Sequence, residues 1–108
     1  MGDLQCAATV LVARPWGITG LTAAVGDRKV AAVYADLPEA REVAERLGLT
    51  PVALTGEDLR SLIASLADVH RGETVVVVTD ERADWLPQVP VVEVLVDADG
   101  WSLRGLPA

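Results

Sequence analysis

Four consecutive valines, Val75 to Val78, within Glu73-Thr-Val-Val-Val-Val-Thr79 leave this chain few ways to fold. Side chains of a strand alternate between the two faces of its sheet, so an unbroken apolar run is apolar on both. Both faces must then be covered, as in a central parallel strand with helices above and below. Ala8 to Ala13 reads the same way and stops at Arg14-Pro15-Trp16-Gly17. There Pro cannot donate to a ladder, and Gly permits a sharp turn. Phe is absent and aromatics make up only 4%, so the core must come from Val, Leu, Ala and Ile, which suit helix-on-sheet packing.

The spacing predicts the remaining elements. Leu21 to Val25 makes one or two helical turns, and Val30 to Tyr34 is a second apolar strand. Asp36-Leu37-Pro38-Glu39 opens a helix whose apolar face is Ala40, Val43, Ala44 and Leu47, with Gly48 closing it. Thr50 to Leu54 reads as a short third strand. Thr55 and Asp58 then precede a stripe at Leu59, Leu62, Ile63, Leu66 and Val69, ended by Arg71-Gly72. After a polar loop from Asp80 to Pro90 come a strand at Val91 to Val96, a turn at Asp97-Ala98-Asp99-Gly100 and an alternating edge strand at Trp101 to Arg104. Strands alternating with helices and closing on a hairpin predict a three-layer α/β sandwich with a mainly parallel sheet and an antiparallel edge hairpin.

Length, charge and cysteine content narrow the function. At 108 residues the chain is read as a single domain, residues 1–108. A formal charge of −7, with no basic cluster beyond Arg28-Lys29, argues against nucleic-acid binding. No apolar run approaches the roughly 20 residues of a membrane span, and the amino terminus lacks the pattern of a signal peptide. No membrane association is expected, and the location expected is cytoplasmic. Cys6 is the single cysteine and cannot form an internal disulfide; it reads as an inert thiol. Glu39, Asp80 and Glu81 are acids without a Gly-punctuated metal loop, and Asp97, Asp99 and Gly100 read as a turn, so neither a metal nor another cofactor is expected. Ser61 and Ser65 have no nearby His in the helix and do not read as nucleophiles.

The order of the segments carries a resemblance. VLVARPWG (10–17), LT (21–22), AAVYADLPEAREVAERLG (31–48), LADVHRGETVVVVTD (66–80) and DADGWSL (97–103) together resemble the histidine phosphatase superfamily, almost end to end. The resemblance implies a minimal phosphoglycerate-mutase-like fold, shortened after the first strand and before Leu59, where that family builds its lid and carries its proton-donating acid. Glu57 is the nearest acid by order. The family follows its phosphate-binding Arg with a nucleophilic His. Here Arg14 is followed by Pro15-Trp16, neither of which can accept a phosphoryl group. Glu39 stands where the family has an Arg, and Asp80 where it has a second His. His70, the only histidine, matches a helix end away from the site.

These departures lead to the expectation of a non-catalytic domain that acts by protein interaction, with a protein partner or a second copy covering its surface. The alternatives are a small-molecule or phosphate-ester module with a weak anion site at Arg14, and a residual phosphatase. Candidate ligand-binding residues are Arg14, Trp16 and Asp80, with Arg14 expected to pair with Asp80. Candidate interaction residues are Trp16 and Trp85, and Trp101 is expected to pack on the edge strand.

Overall fold

The computed structural model describes residues 7–35, 40–54, 58–81, 83–97 and 100–106. Cys6, Asp36, Glu39, Glu57 and Asp99 lie outside them. The elements in order are β1 (Ala8–Ala13), a 3-10 turn (Pro15–Gly17), α1 (Ile18–Val25), β2 (Val30–Ala35), α2 (Ala40–Arg46), α3 (Leu59–Val69), β3 (Thr74–Val78), β4 (Val91–Asp97) and β5 (Gly100–Leu106).

One sheet holds all five strands in the order β2-β3-β1-β4-β5. β2 and β1 flank β3 in parallel, whereas β4 is antiparallel to both β1 and β5. Only β4 therefore runs against the rest. The valine run is β3, inside the sheet, and Val75 to Val78 are essentially inaccessible to solvent. Alternation sends Val76 and Val78 to one core with Leu11, Ala13 and residues of α1 and α2. Val75 and Val77 go to the other, with Val10, Val12 and the α3 stripe. These are the three layers.

One expected strand is absent. Between Thr50 and Leu54 only Val52 bridges β2, accepting from the Ala35 N–H at 2.9 Å and donating to the Val33 carbonyl at 2.8 Å. Pro51, which lacks an N–H, stands at the start of this stretch and limits what it can pair.

α2 is short, and Gly48 ends it with φ +74, a conformation that L side chains rarely adopt. α3 begins at Asp58, whose carboxylate accepts from the Ser61 N–H at 3.1 Å and the Ser61 hydroxyl at 2.8 Å. The hydroxyl contact, then the backbone contact, holds the Asp58 carboxyl below its ordinary pKa. Sign follows directly: the cap contributes in full above the unfolded-chain value of about 3.9 and is lost as the pH falls through the lower folded-state value. Asp58→Ala is thus expected to lower the urea midpoint at pH 7, with the gap to the parent closing in strong acid.

Val69 departs from the predicted stripe and is 72% exposed. At about 100° per residue it stands some 120° round the helix from Ile63, whereas His70 returns to nearly the direction of Ile63. The inward place at the end of α3 thus falls to a histidine.

Candidate functional site

The carboxyl ends of β1, β2 and β3 are level, with Ala13 opposite Val78 and Val78 opposite Ala35. In an open α/β sheet this rim is where ligands bind. Arg14 is the first residue past β1. Its N–H donates to the Pro90 carbonyl at 3.0 Å, and the Thr79 N–H donates to the Ala13 carbonyl at 3.1 Å. These bonds extend the ladder by one step on each side and draw the Arg14 side chain into the rim, where the residue is buried.

The guanidinium of Arg14 points at main chain. Its Nη1 donates to the carbonyls of Thr79, at 3.5 Å, and Glu81. These two residues flank Asp80, which is itself exposed. The expected Arg14–Asp80 ion pair is not among those of the described residues. The reason is geometric: a buried guanidinium so close to the loop reaches its carbonyls first, while Asp80 turns to water.

Glu81 closes the loop from the other side. Its Oε2 accepts from the Leu59 N–H at 2.9 Å, and its own N–H donates to the Thr79 hydroxyl at 3.1 Å. The amino end of α3, where unpaired N–H groups and the helix dipole favour an anion, therefore already holds a carboxylate of the protein. Glu81 was legible only as one acid among several, because its partner lies 22 positions earlier.

Trp16 lies in the 3-10 turn beside Arg14 and is 61% exposed. Trp85 is half-buried and meets Trp101 edge-to-face, with ring centroids 5.8 Å apart. The Arg60 guanidinium lies over both rings, 4.6 Å from the Trp101 centroid and 5.8 Å from that of Trp85. Trp101 thus packs on the edge strand as expected, and Trp85 is part of the same cluster. Trp16 and Trp85 are set in different surroundings, one open and one packed.

Two charged clusters elsewhere have no sequence signature. Glu93, buried on β4, is ion-paired with Arg28 and with Arg104, the latter at 2.9 Å. Tyr34, opposite Val77 in the β2–β3 pairing, reaches His70 at the end of α3, and His70 reaches Glu73 at the start of β3, in a chain of hydrogen bonds. Among the described residues, no group of three or more His, Cys, Asp or Glu side chains could hold a metal ion. No helix among them is long and apolar enough to cross a membrane.

No protein-family model matches the chain, and no curated protein matches it in sequence. Its structure is similar to the crystal structure of phosphoglycerate mutase from Plasmodium falciparum. The TM-score is 0.58 and the identity 16%, over 94% of this chain and 91% of that one. The fold is therefore phosphoglycerate-mutase-like, as the resemblance in sequence implied.

Proposed function

On this phosphoglycerate-mutase-like scaffold, we propose a non-catalytic domain that acts by binding a protein partner. The observation that carries the reading is the location of the only imidazole. His70 lies at the end of α3, beside the amino end of β3, while Arg14 lies past the carboxyl end of β1, which is level with that of β3. Phosphoryl transfer through a histidine needs the imidazole and the cations together on the transferred group. Here Arg14 at the rim is buried and donates to carbonyl groups, and the helix terminus beside it is occupied by Glu81. The same occupancy weighs against a phosphate-ester module at Arg14.

Trp16 supplies the contact. A large aromatic standing open on a turn offers contact area with few rotatable bonds, the kind of residue on which binding energy concentrates. The test is capture of partners from the native cell with the parent protein and Trp16→Ala as baits, alongside assay of a generic phosphate ester. A protein held by the parent and lost by Trp16→Ala, with no ester turnover, is the expected result. Turnover that follows the protein through purification and disappears in Arg14→Ala would overturn it. So would identical captures by the two baits.

A further inference from the structure

We infer that Tyr34 is an activated nucleophile, a hydroxyl that accepts an acyl group from a neutral activated ester with His70 as its base and Glu73 as the positioning residue. Tyr34 comes from edge strand β2, His70 from the end of α3 and Glu73 from the start of β3. The Tyr34 hydroxyl is 2.9 Å from His70 Nε2, and His70 Nδ1 is 2.8 Å from Glu73 Oε1. A carboxylate can only accept, so it assigns the ring proton to Nδ1. Nε2 then presents its lone pair to the Tyr34 O–H. Hydroxyl, imidazole and carboxylate in this order make up the arrangement by which a weak nucleophile is activated.

Burial supports the assignment. The His70 side chain is only 14% exposed, whereas that of Glu73 is 52% exposed. The base is thus shielded from water, with its outer partner at the surface. Tyr34 is half-buried, and the chain beside β2 pairs with it only through Val52. The other charged groups at this turn, Arg71 and Asp68, are paired with each other at 3.0 Å. Apart from Glu73, no described charged side chain is hydrogen-bonded or ion-paired to the imidazole.

The chemistry is balanced without any further reagent. The Tyr34 oxygen bonds to the ester carbonyl carbon, and its proton passes to His70 Nε2. The bond from that carbon to the leaving oxygen breaks, and the activated leaving group departs with the electron pair as a phenolate. Glu73 stabilises the imidazolium until it releases the proton to solvent. A neutral acyl donor is favoured over a phosphoryl donor because the adjoining carboxylate and the formal charge of −7 repel phosphate anions.

The sequence contains one tyrosine, so the test is unambiguous. The folded protein is treated with p-nitrophenyl acetate and acetylation is mapped by peptide mass, with the same protein unfolded in urea as reference. Tyr34 is expected to acetylate on the order of 10² times faster in the folded protein, the scale of general-base assistance. His70→Gln should bring the rate to that of the unfolded chain. Glu73→Gln, a change at a half-exposed side chain, should lower it about tenfold or more, while Glu73→Asp, which keeps the carboxylate, retains most of it. Equal rates in the folded and unfolded protein would overturn the inference without recourse to any variant. Folded-state acetylation confined to His70 or Lys29, or a Glu73→Gln rate equal to the parent's, would do the same.

Discussion

Glu93→Ala is expected to lower the unfolding free energy by about 3 kcal/mol, near the lower end of the cost of breaking a buried ion pair. Glu93 lies between valines on β4, opposite Leu11 across the β1 pairing, and its side chain is 8% exposed. It is held by Arg28 on one side and Arg104 on the other. The two arginines are not equivalent. Arg104 is 66% exposed and regains water when the carboxylate is removed, whereas Arg28 is 31% exposed. Nη1 of Arg28 is buried, with no hydrogen bond among the described residues. The stranded charge is therefore mainly that of Arg28. Replacing both partners, as in Glu93→Leu with Arg28→Leu, should recover most of the loss, because an apolar pair of similar volume needs no counter-ion. Arg104→Ala should cost under about 1 kcal/mol. Urea unfolding of the single and double variants measures the coupling. A Glu93→Ala variant within about 0.5 kcal/mol of the parent would mean that the triad contributes nothing beyond solvation.

Ile63→Ala is expected to cost about 3 kcal/mol, the usual scale for emptying a closed core site. Ile63 is fully buried against the valines of β1, β3 and β4. The core on this face is made of small branched side chains, which are stiff and have little room to collapse into the space left. Val69→Ala on the same helix provides the comparison. It belongs to the stripe as read from spacing, yet its exposure predicts a change within about 0.5 kcal/mol. Similar losses at both sites in chemical denaturation would contradict the assignment of the inward face of α3.

The difference between these two residues shows where sequence spacing stops being informative. Helical periodicity places Leu59, Leu62, Ile63 and Leu66 on one face, and they are buried. Spacing of three or four also counts Val69 with them, although it stands at the margin of that face, some 120° round the helix from Ile63, and meets solvent. The strand expected at Thr50 to Leu54 failed for a related reason. Its composition suits a strand, but pairing depends on a neighbouring edge, and only Val52 finds one. Arg14 was legible as the charged residue at the mouth of the sheet, whereas its engagement by the Thr79 and Glu81 carbonyls was not, since main-chain groups leave no trace in residue identity.

Periodicity and composition by themselves determined the layered architecture: two doubly apolar runs demand helices on both faces, and a core without Phe demands close packing of branched side chains. Composition also limits the chain to one histidine, and the resemblance implied a place for it at a helix end away from the mouth of the sheet. Only the tertiary structure decided which charges meet. Glu81 reaches the start of α3, Glu93 draws in two arginines, and His70 turns towards Tyr34, in pairings that span from 11 to 65 positions of sequence. Burial along a strand or helix repeats with a local period and can be read from the sequence. The partner of a charge is set by where the folded backbone carries it, and no local period encodes that.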